Sequence, residues 1–206
     1  TGDIGAGKTM LTRTLIDRLK SDVKVALINN TRVTSHQLLK LICADLGITL
    51  PHVVDKATVL TRIRDFVEQQ YAVGRNVVII IDEGQCLSID EFEEIRLLTN
   101  LESETDKLVQ LLILGQPELR VTLKHPRLAP LIQRIVMYCH LAPLSFEETT
   151  SYIAFRLVRA SQNQPKASFS REALEQIYRY SKGMPRVVNL LCDNALLIGY
   201  SNDTKL

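Results

Sequence analysis

The residues best suited to chemistry stand at the beginning of the sequence, where residues 1–9 read Thr-Gly-Asp-Ile-Gly-Ala-Gly-Lys-Thr. This stretch fits the pattern Gly-x-x-x-x-Gly-Lys-[Ser/Thr] through Gly2, Gly7, Lys8 and Thr9. The glycines allow a turn whose backbone N–H groups point at phosphate oxygens, and a helix beginning near Gly7 adds its positive dipole end. Lys8 would contact the β and γ phosphates, and the Thr9 hydroxyl would hold Mg²⁺. The motif therefore predicts a phosphate-binding loop (P-loop).

A second group with chemical potential is the carboxylate pair Asp82 and Glu83, which directly follows the apolar run Val77–Ile81. Five consecutive β-branched residues are typical of a strand buried on both faces. A carboxylate pair at the end of such a strand, after a P-loop, has the order of a Walker B motif. Asp82 would then bind Mg²⁺ and Glu83 would polarise the attacking water. The alternative is an ordinary acidic turn after a strand.

A third polar position is Gln116, which follows the apolar stretch 108–114. Ligands of open α/β sheets bind beyond the carboxyl ends of the strands, so Gln116 is expected at the same edge as Asp82 and near the γ-phosphate or the water. The alternative is a simple turn residue beside Pro117. From the motif, the expected nucleotide-binding residues are Gly2, Asp3, Ile4, Gly5, Ala6, Gly7, Lys8, Thr9 and Met10, and the expected metal ligands are Thr9 and Asp82.

The elements that must position these groups alternate along residues 1–143. Apolar periodicity predicts helices at 10–20, 35–46, 56–71, 90–100 and 127–134, and strands at 24–28, 77–81, 108–114 and 136–141. This alternation predicts a parallel, three-layer α/β core. A P-loop normally follows a buried strand, and no residue precedes Thr1. We therefore interpret the sequence as part of a longer protein, with the first strand of the sheet absent.

Residues 144–206 carry helical signals alone and are expected to form a small helical lid. Ser145 and Glu148 make a capping box for a helix that runs to about Ala160. A second helix starts after Ser170 and stops at Gly183. The third begins at Pro185 and has an apolar face that ends at Gly199.

Composition bounds the remaining possibilities. Hydrophobic residues make up 46% and charged residues 23%, with a net charge of +2, which excludes a disordered tail and gives no sign of a strongly basic surface. The four cysteines form no Cys-x-x-Cys pair and are expected to be reduced core thiols, and the four histidines lack metal-ligand spacing. No apolar run approaches the ~18 residues of a membrane span. A cytoplasmic domain is the expectation.

Several longer phrases resemble one family of bacterial ATPases. They are Ile-Asp-Glu-Gly-Gln-Cys-Leu-Ser at 81–88, Glu-Ile-Arg-Leu-Leu-Thr-Asn-Leu-Glu at 94–102, Leu-Gly-Gln-Pro-Glu-Leu at 114–119 and Asn-Leu-Leu-Cys-Asp-Asn-Ala-Leu-Leu at 189–197. Together with the P-loop they are similar to the AAA+ ATPase domain of the general secretion pathway protein A family. Pilus-biogenesis (MshM-like) and exosortase-associated ATPases share these phrases, and transposition ATPases (TniB-like and TnsC-like) are more distant.

The resemblance implies further roles for matching positions. Gln116 matches the residue called sensor 1, and Arg186 matches sensor 2, which contacts the γ-phosphate and adds to the nucleotide-binding set. Arg134 matches an arginine finger offered to a neighbouring subunit, with Arg127 as the second choice. Asn29 or Asn30, at the end of the strand predicted at 24–28, resembles the family's residue that restrains the catalytic glutamate. The implied catalytic residues are therefore Glu83, Gln116, Arg134 and Arg186.

The resemblance also implies a function. It predicts Mg²⁺-dependent ATP binding and hydrolysis by an oligomer that drives assembly of a bacterial secretion or pilus system. The parent protein would lie at the cytoplasmic face of the inner membrane, with any membrane contact made by segments outside this sequence. The alternatives are a DNA-associated regulator of transposition built on the same core, and a nucleotide-gated scaffold that barely hydrolyses ATP.

Overall fold

The computed structural model forms two compact units. The first unit contains Thr1 and residues 9–139, and the second contains residues 2–8 and 140–206. The residues that the structure describes are 1–19, 22–29, 31–102, 106–162 and 167–202.

A three-stranded parallel sheet forms the centre of the first unit. Its strands are β1 (Val23–Ile28), β2 (Asn76–Ile81) and β3 (Val109–Ile113), in the spatial order β1-β2-β3. The register aligns their carboxyl ends, because Ile28 lies opposite Ile81 and Ile81 lies opposite Ile113. The predicted α/β fold with a parallel sheet is thus confirmed, and the residues that follow β2 and β3 leave the sheet at the same edge.

Helices surround this sheet, and their ends follow the local sequence signals. Thr34 and Gln37 form a capping box at the start of the second helix, and Gly47 ends it in the left-handed region at φ 77°. Ser88 and Glu91 form another capping box, at the start of the fourth helix. The helices are α1 (Lys8–Arg18), α2 (Ser35–Leu46), α3 (Lys56–Ala72), α4 (Ile89–Leu98), α5 (Glu118–Thr122) and α6 (Ala129–Ile132), with 3₁₀ turns at Gly84–Cys86 and Pro126–Leu128.

The sheet buries apolar side chains on both faces. On one face, Ile79 and Ile81 pack in a core with side chains of α2, α3 and α4. On the other face, Val78 and Ile80 pack with Ile16 of α1. Because successive residues of a strand point to opposite faces, the unbroken apolar run of β2 serves both cores. The first unit therefore has the helix–sheet–helix layering that the sequence predicted.

The strand predicted at 136–141 is the clearest error of the sequence analysis. In the described part of the chain, residues 136–140 have no regular secondary structure, and Leu141 makes one isolated parallel bridge, to Gly2. The side chains of Val136 and Met137 are 94% and 82% exposed. An apolar alternation becomes a strand only where a neighbouring chain segment supplies a ladder of hydrogen bonds.

The second unit contains the three helices that the sequence predicted. They are α7 (Phe146–Ala160), α8 (Arg171–Ser181) and α9 (Pro185–Ser201). The capping box of Ser145 and Glu148 opens α7, and a small apolar core joins the helices through Ile153, Ile177 and Val188. The helix α9 begins at Pro185, as predicted, and continues to Ser201, two residues beyond Gly199. None of the described helices is long and apolar enough to cross a membrane.

The cysteines divide into two pairs. All four are free thiols; Cys43 and Cys192 are buried, whereas Cys86 and Cys139 are exposed. Burial raises the pKa of Cys43 and of Cys192 to about 11, so both thiols stay neutral at ordinary pH. All four cysteines are thus unpaired as expected, but the expected core position is correct for Cys43 and Cys192 and wrong for the exposed pair.

Candidate functional site

The carboxyl edge of the sheet presents the acidic pair of the first unit. The Asp82 N–H donates to the Ile28 carbonyl at 2.9 Å, and the Leu114 N–H donates to the Ile81 carbonyl at 2.8 Å. These bonds extend the sheet by one residue beyond β2 and fix the backbone of Asp82, which is only 5% exposed. A buried carboxylate needs polar partners, because an unpaired charge away from water is costly.

Two donors supply those partners to Asp82. Its Oδ2 accepts a hydrogen bond from the Thr9 hydroxyl at 3.1 Å, and its Oδ1 accepts one from the Glu83 N–H at 2.9 Å. Thr9 lies in the first turn of α1. The structure thus brings together the two residues predicted to hold a metal ion, although 72 residues of sequence separate them. A hydroxyl and a carboxylate are oxygen ligands, which suit a hard cation such as Mg²⁺.

The backbone of Glu83 has an unusual conformation. Its φ of 54° and ψ of 37° lie in the left-handed region, which costs a residue with a side chain about 1 to 2 kcal/mol. Two donors hold its carbonyl: the Thr31 hydroxyl at 3.2 Å and the Cys86 N–H at 2.9 Å. Such strain persists where the surroundings fix the backbone, and it is frequent at functional sites. The sharp turn separates the direction of Glu83 from that of Asp82.

The Glu83 carboxylate accepts hydrogen bonds from two side-chain amides. Gln85 Nε2 lies 2.5 Å from Glu83 Oε2, and Gln116 Nε2 lies 3.3 Å from the same oxygen. The Gln85 side chain also accepts a bond at its Oε1 from the Gln116 backbone N–H, at 3.0 Å. The structure therefore places Gln116 beside Glu83, at the edge where the strand pattern located it.

The loop of residues 2–8 lies in the second unit. Gly5 and Gly7 have φ of 87° and 95°, conformations that favour glycine. Lys8 Nζ donates to the carbonyls of Gly2 at 2.6 Å and of Asp3 at 3.0 Å, so its ammonium group is folded over the loop that precedes it. The Lys8 side chain is buried at 8% exposure. Such turns, in which successive N–H groups face a common side, form anion-binding concavities.

Arg186 meets the same loop within the second unit. Its N–H, at the start of α9, donates to the Gly5 carbonyl at 3.3 Å. A Cβ atom added to Gly5 would lie only 2.8 Å from the Arg186 Cβ. Gly5 is not one of the two glycines that the motif demands, and this close approach gives it a role that the pattern did not reveal. The predicted sensor 2 residue and the predicted phosphate loop are thus neighbours.

A substitution of Gly5 by Ala is expected to weaken ATP binding at least about 10-fold. The new side chain would meet the positive φ and also collide with Arg186, and ~1 to 3 kcal/mol of strain corresponds to roughly one to two decades of affinity. Fluorescence titration with ATP measures the effect. Gly74→Ala is the matched control, because Gly74 has a φ of 73° with no atom within 4 Å of its added Cβ. Equal ATP affinity in the two variants would contradict the role of the Gly5 contact.

The arginines proposed as fingers make partners inside the first unit. Arg134 Nη1 donates to the carbonyl and the hydroxyl of Thr99, both at 3.2 Å, at the end of α4. Arg127 forms an exposed ion pair with Asp90 at 2.9 Å. The structure does not bring either guanidinium to Asp82. The finger role of Arg134, with Arg127 as its alternative, stays a prediction.

The remaining predicted positions are mostly exposed. Ile4 and Met10 are 63% and 61% exposed, and Asp3 is exposed as well. Asn29 directly follows β1 and is exposed, while Asn30 lies outside the described residues. The role that the resemblance assigned to this asparagine stays a prediction; among the described residues, Gln85 and Gln116 donate to the Glu83 carboxylate.

Two site residues were missed by the sequence analysis. Thr31 holds the Glu83 carbonyl and Gln85 holds the Glu83 carboxylate. Both are polar residues within four positions of a strand end, which was the signal that led to Gln116. The same rule, applied to the polar residues that follow every predicted strand, would have included Thr31 and Gln85.

The comparisons with known proteins agree with this fold. The AAA domain family matches residues 1–123. The chain is 38% identical over 201 residues to "General secretion pathway protein A" of Aeromonas hydrophila, covering 98% of this chain but only 36% of that protein. The chain thus spans about a third of the length of that relative. The resemblance to this protein, predicted from the sequence, is confirmed.

Solved structures supply the fold-level comparison. The ORC2 protein of Aeropyrum pernix, in ADPNP-ADP complexes, superposes with a TM-score of 0.67 at 17% identity, over 98% of this chain and 57% of that one. Cdc6p of Pyrobaculum aerophilum gives a TM-score of 0.69 at 19% identity, over 99% and 55% of the two chains. At such identities the likeness concerns the fold alone. The chain therefore belongs to the AAA domain family and has the fold of AAA+ P-loop NTPases.

Proposed function

We propose that this domain binds ATP and hydrolyses it to ADP and phosphate in a Mg²⁺-dependent reaction. The observation that carries the proposal is the hydrogen bond of 3.1 Å between the Thr9 hydroxyl and the Asp82 carboxylate, with Glu83 next in the chain. Thr9 directly follows Lys8, the last residue of the candidate phosphate loop. Chain connectivity thus links the residues that suit phosphate to those that suit the metal and the water.

The residues at this site fit Mg²⁺. Among the described residues, no group of three or more His, Cys, Asp and Glu side chains could hold a metal ion. Mg²⁺ requires no such cage, since it usually binds through one or two protein oxygens together with water and substrate phosphates. Thr9 and Asp82 supply such a set. When bound, the ion would neutralise charge that develops on the phosphate oxygens.

The candidate phosphate loop and the two basic residues beside it suit a polyanion. The N–H groups of residues 2–8 and the ammonium of Lys8 would contact phosphate oxygens, as the motif implies. Arg186 adds a permanent positive charge, and its backbone N–H is hydrogen-bonded to the Gly5 carbonyl. A planar guanidinium can bind two phosphate oxygens at once. We assign to Arg186 the contact with the γ-phosphate.

The chemical step falls to Glu83 and Gln116. Glu83 would accept a proton from the attacking water, and the Gln116 amide, 3.3 Å from the Glu83 carboxylate, would donate to the water or to the γ-phosphate. The two N–H bonds of the Gln116 amide point in different directions. If one of them donates to the substrate, the other remains available for Glu83. This arrangement makes the proton acceptor and its polar neighbour parts of one network.

Phosphate release from ATP tests the proposal. With excess Mg²⁺ the chain is expected to turn over ATP, and replacement of Mg²⁺ by EDTA is expected to reduce the rate to the uncatalysed level. The reason is that EDTA removes the ion that Thr9 and Asp82 would hold, so the charge that develops on the phosphate oxygens is no longer neutralised. Turnover that persists in EDTA would contradict the metal site, and the absence of turnover in Mg²⁺ would contradict the hydrolytic function.

A finer proposal concerns what the reaction drives. The relative with 38% identity is named for the general secretion pathway, and we propose that this domain, as an oligomer on the cytoplasmic side, serves a secretion assembly. An excess of chain carrying Glu83→Gln should enter such assemblies with ATP bound and block them. Expression of this variant in the source cells is therefore expected to reduce protein export. Unchanged export, with the variant present at several-fold excess, would count against the secretion role.

A further inference from the structure

The Gln85 side chain bridges two parts of the candidate site. Its Nε2 donates to Glu83 Oε2 at 2.5 Å, and its Oε1 accepts from the backbone N–H of Gln116 at 3.0 Å. We infer that Gln85 is a positioning residue, which orients the carboxylate of Glu83 and couples it to the loop that carries Gln116. The inference rests on the proposed ATPase function, in which Glu83 accepts the proton of the attacking water.

The chemistry of the two neighbours fixes the orientation of the Gln85 amide. The Gln116 backbone N–H can only donate, so it must face the carbonyl oxygen of Gln85. The Glu83 carboxylate can only accept when ionised, so it must face the NH₂ group. A side chain in this position therefore needs one acceptor and one donor on the same planar end. Glutamine satisfies this need, whereas glutamate offers no donor and methionine offers neither a donor nor a strong acceptor.

Two glycines allow the bridge to be short. The Gly84 N–H donates to the Leu114 carbonyl at 2.7 Å, and a Cβ at position 84 would lie 2.6 Å from Ile113 Cγ2. A Cβ at position 115 would lie 3.0 Å from Gln85 Oε1. The backbones before Gln85 and before Gln116 therefore approach each other closely. This packing fixes the position from which the Gln85 side chain reaches Glu83.

The bridge determines which carboxylate oxygen can act. Gln85 and Gln116 both donate to Oε2 of Glu83, and a proton from the attacking water would then be taken by Oε1. The left-handed residue Glu83 connects the end of β2 to the 3₁₀ turn Gly84–Cys86, and the two amides orient its side chain. Loss of Gln85 would allow the carboxylate to rotate and would misplace the proton acceptor without removing any group that contacts ATP.

Two variants separate positioning from simple packing. Gln85→Met preserves length but removes both hydrogen bonds, and Gln85→Glu preserves shape but places a second carboxylate against Glu83. Both are expected to lower kcat about 10- to 100-fold, less than the ~10²–10⁴-fold loss of a general base, with the Kd for ATP within about twofold of the wild type. Gln69→Met, on the exposed surface of α3, is the matched control and should keep the wild-type kcat.

The pH dependence gives a readout that a packing defect does not produce. A protonated glutamic acid at position 85 offers one O–H donor and one acceptor oxygen, which is the same pair as the amide. The kcat of Gln85→Glu divided by that of the wild type should therefore rise at least about fivefold as the pH falls from 8 to 5.5. The reason is that one bound proton gives the side chain at position 85 a donor for Glu83 again. The same ratio for Gln85→Met should stay constant.

The outcomes are distinct. Wild-type kcat in both variants, or parallel loss of kcat and ATP affinity, or a ratio for Gln85→Glu that does not change with pH, would overturn the inference. If the wild type and Gln69→Met both lack turnover, the proposed function fails, and the bridge is decided by ¹⁵N NMR. Glu83→Ala should then shift the Gln85 side-chain NH₂ and the Gln116 backbone N–H resonances. Unshifted resonances would overturn the bridge itself.

Discussion

Glu83→Gln is expected to lower ATP turnover by ~10²–10⁴-fold, the usual effect of removing a general base, while ATP still binds. Glutamine has the shape of glutamate and can still accept a hydrogen bond from an amide at its carbonyl oxygen, but it cannot take a proton from water at neutral pH. Because the Glu83 carboxylate bonds to Gln85 and Gln116 and is not among the groups proposed to contact the phosphates, the affinity for ATP should change little. Phosphate release and ATP titration measure the two quantities.

The control for this variant is Glu118→Gln, an exposed glutamate in the first turn of α5. It removes the same charge from the same unit and should turn over ATP at the wild-type rate. Turnover by Glu83→Gln at the rate of this control would mean that another residue acts as the general base. Loss of ATP affinity in Glu83→Gln would instead mean that the carboxylate has a role in binding.

Lys8→Ala is expected to weaken ATP binding at least about 100-fold. A charge-assisted hydrogen bond contributes ~1.5 to 3 kcal/mol, and Lys8 would make more than one such bond to the phosphates. The substitution also removes the two bonds from Lys8 Nζ to the carbonyls of Gly2 and Asp3, so the loop loses an internal tie. Isothermal titration with ATP in the presence of Mg²⁺ measures the affinity.

Lys124→Ala is the matched control, since Lys124 is exposed and follows the C-cap of α5. It changes the net charge by the same amount and should leave the ATP affinity unaltered. A Kd for Lys8→Ala close to that of Lys124→Ala would mean that the loop is not part of the ATP-binding site. A thermal denaturation scan of both variants shows that the loss reflects the site rather than unfolding.

The sequence was informative wherever one regular element determined the position of a side chain. A buried parallel strand delivers the residue after it to the carboxyl edge, and this rule located Asp82 and Gln116 correctly at one edge. The P-loop pattern likewise anticipated the positive φ of Gly7. In these cases the local backbone decides the geometry, so that a few adjacent residues contain the required information.

The errors arose where distant segments decide the outcome. Val136 has the residue type of a strand, but strand formation depends on a partner ladder that its own sequence does not encode. The contact of Gln85 with Glu83 depends on a left-handed residue and on two close backbones, none of which has a periodic signal. Arg134 illustrates a third limit, because a long side chain can reach partners in several directions, and here it reaches Thr99.

The proposed function requires both the candidate phosphate loop, for ATP binding, and the pair Asp82 and Glu83, for hydrolysis. The most direct measurement is the identity of the nucleotide recovered after ATP and Mg²⁺ are incubated with the wild type, Lys8→Ala and Glu83→Gln, followed by rapid gel filtration. The proposed function predicts ADP with the wild type, intact ATP with Glu83→Gln and no nucleotide with Lys8→Ala. Recovery of ADP from Glu83→Gln, or of bound nucleotide from Lys8→Ala, would contradict it.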